Sequence, residues 1–181
     1  QNYSTHGQTF EGAVLEATSG RPIAQLVEEE IADRYGFDSM KVQFRTNSLT
    51  PNYERTAPYD DLGNETSYGD NSWKVLGGGI ESDPVDLAWF GYKVLDGQIV
   101  SAATRDNRLW SPVVAGQKYG LSWILQTRDG RQVAEHGGSW DGARSDLRVY
   151  RDDDLVIAIM SNMRGWSPSD LSTEIANVIL P

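Results

Sequence analysis

Two clusters of residues have the types and spacing that chemistry needs. Tyr3-Ser4-Thr5 opens the chain directly ahead of a helical pattern. His136-Gly137-Gly138-Ser139 sits where a β-like pattern ends, with Trp140, Gly142 and Ser145 close behind. A tyrosine beside a helix start can act as a general base when cationic neighbours lower its pKa from about 10. Consecutive glycines beside a strand let a carbonyl compound lie against the backbone, where an N–H such as that of Ser139 meets a developing oxyanion. From spacing alone, a surface tyrosine at a helix end and a glycine-rich turn with an incidental histidine describe the same residues more simply.

Other chemistries fall away on composition. The 181 residues contain no cysteine, which removes disulfides, zinc-thiolate sites, iron–sulfur clusters and a cysteine nucleophile. His6 and His136 are far apart, and neither has a second ligand at metal spacing, so neither a metal nor a cofactor is expected. Gly77-Gly78-Gly79 is not followed by Lys-Ser/Thr, and a close approach of backbone to a neighbouring element fits it better than a phosphate loop. No G-x-S-x-G elbow occurs. The net charge of −10 argues against nucleic acid and against an anionic membrane surface.

The elements that must position the two clusters read as follows. Phe10, Ala13, Val14 and Ala17 recur at helical spacing and predict a helix that buries that stripe and stops at Gly20. A second helix follows, with Pro22 in its first turn, Ile23, Leu26, Val27 and Ile31 inward, and the Glu28-Glu29-Glu30 run solvated. Residues 41–75 lose periodicity and read as a long surface excursion near whatever is bound. Asp83-Pro84 starts a third helix with Leu87, Phe90, Val94 and Leu95 inward, closed by Gly97. From Tyr119 the period becomes two, with Leu121, Trp123 and Leu125 on one face. Asp129-Gly130 signals a hairpin, a second strand runs to Glu135 or His136, and a third covers 146–150. The unbroken apolar run 155–160 predicts a strand covered on both faces and central in its sheet. Ser167-Pro168 opens a last helix with Leu171, Ile175, Val178 and Ile179 inward. The layout is α+β: an antiparallel sheet flanked by helices, with a helical and irregular part over 1–118 and the strands and terminal helix over 119–181.

Taken in order, these segments resemble the β-lactamase-related serine hydrolases, the family of class C β-lactamases, DD-peptidases and related esterases. Tyr3-Ser4-Thr5-His6-Gly7 resembles the family's Tyr-x-Asn motif, and Glu16-Ala17-Thr18-Ser19-Gly20 its E-x-x-S-G helix end. Gly36 to Met40 is similar to its L-G-M corner. Gly77-Gly78-Gly79-Ile80 through Asp86-Leu87-Ala88-Trp89-Phe90-Gly91 resembles G-G-x-x-S-T-x-x-D-L-x-x-F. Tyr119-Gly120-Leu121-Ser122-Trp123, His136-Gly137-Gly138 and Ile159-Met160-Ser161-Asn162 complete the series, the middle one standing at the Lys-Thr-Gly element that many members write His-x-Gly. The Tyr-Ser-Thr variant and Asp70-Asn71-Ser72-Trp73-Lys74 resemble most the mitochondrial-type serine β-lactamase-like proteins and their bacterial relatives.

The resemblance implies acylation of a serine by an amide, peptide or ester, then hydrolysis. Tyr3 would relay the proton, the N–H of Ser139 would hold the oxyanion, and His136 would polarise the tyrosine or bind the substrate's carboxylate end. Thr5, Gly137, Gly138 and Trp140 would contact substrate; Trp140, Trp110 and Tyr59 are candidates to line the cleft, with core or surface packing an equal alternative for each. Thr5 replaces the usual Asn, and no Ser-x-x-Lys occurs anywhere in the chain. The family's nucleophile precedes the tyrosine motif, so the expectation is an N-terminal segment carrying that serine, of the same gene product or a separate chain. The chain begins at Gln1 rather than Met, which reads as a processing site or an imposed boundary. Without such a segment residues 1–181 would expose several hundred Å² of apolar surface and forfeit on the order of ten kcal/mol, so association with it, or self-association, is expected. A family bias points to extracytoplasmic sites. A non-catalytic peptide- or muropeptide-binding module, or a self-assembling one, is the alternative.

Overall fold

The computed structural model describes residues 4–43, 55–67 and 69–180. Helix α1 (Thr5–Ser19) begins at Ser4, whose hydroxyl accepts from the Gly7 N–H at 3.1 Å, and ends at Gly20, left-handed at φ 69°. That end is where the pattern placed it, but the buried face is the opposite one. Phe10 and Val14 are 74% and 60% exposed, while Gly12 is buried against Ile23 and Leu76. The helix lies on the 3₁₀ turn Ser72–Gly77, where Gly12 meets Leu76 and Thr5 meets Gly77. Helix α2 (Ile23–Val27) is capped by Pro22 rather than containing it, and widens into a π turn over Glu28–Asp33. Of the acidic run, Glu30 and Glu29 pair with Arg21, Glu30 at 2.8 Å.

Strand β1 (Lys41–Val42) pairs antiparallel with β2 (Ile80–Glu81), just past the three glycines. Helix α3 (Pro84–Leu95) forms as its start signals require. Asp83 accepts from the Asp86 N–H at 2.8 Å, and Pro84 occupies a first-turn position. Gly91 on α3 lies so near Leu147 and Val156 that a Cβ would stand 2.8 Å from Val156 Cγ1. A short helix α4 (Ala102–Thr104) runs on as a π turn to Leu109 and leads to Trp110.

The sheet is a meander in chain order: β3 (Ile124–Arg128), β4 (Arg131–Trp140), β5 (Ala143–Tyr150) and β6 (Leu155–Ser161). The Asp129-Gly130 hairpin is present, both residues at positive φ. Three expectations need correction. Residues 119–123 form a loop rather than the start of a strand: Ser122 is at φ 61°, and the Gly120 N–H donates back to Trp123 O. β4 continues five residues past Glu135, so the His-Gly-Gly-Ser segment lies within a strand; the glycines remain extended because β5 pairs with them throughout. β6 is the end strand among the described residues, not a central one. Its run lacks alternation because both faces are covered.

On one face, α3 packs over Ala134, Leu147, Val149, Val156 and Ala158, with Trp110 and Trp123 in the same cluster. On the other, α5 (Pro168–Ile179) covers Val133, Tyr150, Leu155, Ile157 and Ile159. The inward residues of α5 are Pro168, Ser172 and Ala176, flanked by Ile175; Val178 and Ile179 are exposed, contrary to the pattern. Small residues face the sheet here because Arg148, fully buried, reaches up from β5. It donates to Thr173 Oγ1 and to Ser169 O and Oγ, with its Nε 2.9 Å from Asp146 Oδ2. Buried Glu135 completes the group, bound twice by Arg128 at 2.7 Å.

Candidate active site

The strand segment His136–Trp140 is directed by register. The Arg151 N–H donates to Gln132 O, so even-numbered residues of β4 turn their backbone polar groups to β5. Odd-numbered residues turn theirs to β3, whose first paired residue, Ile124, stands opposite Glu135. Beyond that point the β3 side of β4 carries no strand among the described residues. The N–H groups of Gly137 and Ser139 therefore point to an open edge, and Gly137–Trp140 is exposed. Side chains alternate as well, placing His136 and Trp140 on the same face as Ala134.

His136 is held at both ring nitrogens. Nδ1 lies 2.8 Å from Gly137 O, which can only accept, so Nδ1 carries the proton. In the neutral ring Nε2 then accepts from the Tyr119 hydroxyl at 2.5 Å. Tyr119 belongs to the loop that was expected to be strand, and its pairing with His136 is a contact that spacing did not indicate. Each side of the ring is thereby fixed before any ligand binds.

The helical side arrives through Thr5, the first residue of α1. A Cβ on Gly77 would stand 2.8 Å from Thr5 Cγ2 and 3.0 Å from Thr5 O, so this glycine is what admits the helix end. The close approach expected of the triple glycine is found here. Tyr3 lies outside the described residues, two positions ahead of Thr5 in the chain.

Lys74 joins the two sides. It is 5% exposed, in the same 3₁₀ turn as Gly77, and its Nζ sits 3.5 Å from the centre of the Trp140 ring. Burial pushes its pKa down, with the charge of Asp141 partly opposing. Among the described residues no acceptor forms a hydrogen bond or ion pair with it. Trp140 is in turn set by Gly69, where a Cβ would come within 2.8 Å of the indole Nε1. The sequence reading did not single out Lys74; a lysine between Trp73 and Val75, directly before three glycines, was the signal present.

Of the further cleft residues, Tyr59 is half-buried beside the β4–β5 turn, where its N–H donates to Asn162 O. Trp110 is 4% exposed and packs edge-on against Trp123, with Arg105 and Arg151 over its ring. It is core, not cleft.

An α+β fold with this order of elements and an exposed His-Gly-Gly-Ser edge defines a class, and the comparisons agree. Residues 1–179 match the family model described as Beta-lactamase, and the chain belongs to that family. The serine beta-lactamase-like protein LACTB, mitochondrial, of Homo sapiens is 26% identical over an alignment of 219 residues that covers 96% of this chain and 40% of that protein. The chain thus spans about two fifths of the length of the curated relatives it matches. Among solved structures, a D-stereospecific amidohydrolase from Streptomyces sp. superposes with a TM-score of 0.79 at 24% identity, covering 97% of this chain and 54% of that one. A penicillin binding protein from Bacillus halodurans gives 0.80 at 19% identity, covering 98% and 56%. At such identities these likenesses speak for the fold: a β-lactamase-like serine hydrolase fold.

Proposed function

We propose that the chain supplies the proton-handling and oxyanion side of a serine hydrolase acting by acyl transfer on an amide, peptide or ester. The observation that carries this reading is the open edge of β4, where the Ser139 N–H points away from β5 at an exposed strand end. Such a donor costs no reorganisation when charge develops on a carbonyl oxygen. Thr5, Gly137, Gly138 and Trp140 line the place where the acyl donor lies. Tyr3 serves as general base, taking the proton from the attacking serine and returning it to the leaving group. His136, locked by Tyr119 and its own strand, orients rather than attacks.

The attacking serine is contributed by a Ser-x-x-Lys element outside these 181 residues. The oxyanion would be shared between that serine's own N–H and the N–H of Ser139. A fluorophosphonate probe applied to the full-length gene product should label a serine of such an element, and Tyr3→Phe should slow turnover at least about 100-fold. Labelling elsewhere, or an unchanged rate, overturns the assignment. The same open edge could receive an extended peptide as an added strand, which is the basis of a binding-module reading. Absence of labelling combined with tight peptide binding would favour it.

A further inference from the structure

We propose that the cavity between α1, the start of α2 and the 3₁₀ turn is a binding site for a small primary ammonium carried on a short apolar body. The cavity measures about 260 Å³, room for roughly nine non-hydrogen atoms at the ~30 Å³ share of a water. Ala13, Ile23, Leu76 and Trp73 form its apolar wall, and Glu16, Thr9 and Ser72 bring side-chain oxygens to it. None of its lining residues belongs to the cluster of Thr5, Tyr119 and His136–Trp140.

The fold leaves these oxygens as acceptors. The Thr9 hydroxyl gives its proton to Thr5 O at 3.1 Å, and the Ser72 hydroxyl gives its own to Asp70 Oδ1 at 2.6 Å. Glu16 Oε1 accepts from the Ile23 N–H at 2.8 Å, which fixes the carboxylate across the junction of α1 and α2. Its Oε2 has no partner among the described residues. No cation of the described chain neutralises it: Arg21 is bound to Glu29 and Glu30, and Lys74 is held over the Trp140 ring.

Three acceptor side chains match the three N–H donors of a primary ammonium. An anion would meet the Glu16 carboxylate and that of Asp70 behind Ser72, in a chain of net charge −10. A metal ion would find too few ligands, since no group of three His, Asp or Glu side chains is placed to hold one among the described residues. The apolar body of the ligand displaces water from Ile23 and Leu76, both half-buried, and from Trp73, which is 49% exposed.

This inference is independent of the acyl-transfer reading, and its test needs no turnover. Binding of benzylamine, protonated at neutral pH, and of its neutral isostere benzyl alcohol to the full-length protein would be followed by ligand-observed NMR titration. The wild type should prefer the ammonium by about five- to tenfold, the effect of an ion pair at an open site with hydroxyl acceptors added. Glu16→Gln keeps an oxygen for the Ile23 N–H and removes the charge, so it should bring the two affinities within about twofold and leave the alcohol unchanged. Ala13→Leu, on the exposed side of α1, fills the cavity and should weaken both ligands at least about fivefold; Ala13→Met serves if the leucine does not fold. Equal binding of the two ligands by the wild type, a preference that survives Glu16→Gln, or affinities unmoved by the Ala13 variants overturns the proposal.

Discussion

Gly77→Ala tests whether the helix end and the Lys74 segment must touch for the site to work. The added methyl would stand 2.8 Å from Thr5 Cγ2 and 3.0 Å from Thr5 O, where non-bonded carbon contacts settle at about 3.5–4.0 Å. The start of α1 must therefore retreat by roughly 1 Å. Overpacking of this kind costs about 1–3 kcal/mol, and a domain of this size loses about 2–4 °C in Tm per kcal/mol. Function should suffer more, because about 1 Å of misplacement of catalytic groups costs on the order of 100-fold in rate. The assay is kcat/KM for p-nitrophenyl ester hydrolysis by the full-length protein, with thermal melting followed by circular dichroism. Adding Thr5→Ser removes Cγ2 and leaves the carbonyl contact, so the double variant should recover part of both losses. Unchanged rate and Tm in Gly77→Ala would refute the contact. A loss that Thr5→Ser does not relieve would place the strain elsewhere.

Two further outcomes follow from the buried charges. Arg148→Met strips Asp146 of its partner at 2.9 Å, whereas Glu135 keeps Arg128, so urea unfolding should show a loss of about 3–5 kcal/mol. Adding Asp146→Leu should restore much of it; full stability of the single variant would contradict the network. For Lys74, burial lowers the folded-state pKa below the unfolded value of 10.5. The unfolded chain binds more protons between those two values, so wild-type stability relative to Lys74→Met should rise as pH climbs through that window, and a fall or a flat difference in Tm would contradict it.

Local signals along the chain were legible wherever backbone chemistry decides the outcome. Asp83-Pro84 at a helix start, the left-handed Gly20 and the Asp129-Gly130 turn each depend on one or two residues, and each stands where it was read. Which face an element buries depends on its neighbour, and there periodicity misled. Phe10 and Val14 form the more apolar stripe of α1, yet it is the face carrying Thr5 and Gly12 that meets Gly77 and Leu76. On α5, Arg148 similarly leaves room for Ser172 and Ala176 at the sheet. Two glycines suggested an end to β4, whereas pairing with β5 carries it to Trp140. The His-Gly-Gly-Ser element could be found from residue types alone. Tyr119 and Lys74 could not, since their roles arise only from contacts across 17 residues to His136 and from β4 to the 3₁₀ turn.

The account depends most on the outward N–H of Ser139. Because that group makes no ladder bond to β5, proline can replace it at the strand edge without breaking the sheet. Ser139→Pro removes the donor, and Ser139→Ala keeps it. Ester hydrolysis by the full-length protein should fall by about 100- to 1,000-fold in the first variant and stay near wild type in the second, both melting like the parent. Equal rates in the proline and alanine variants would contradict the assignment.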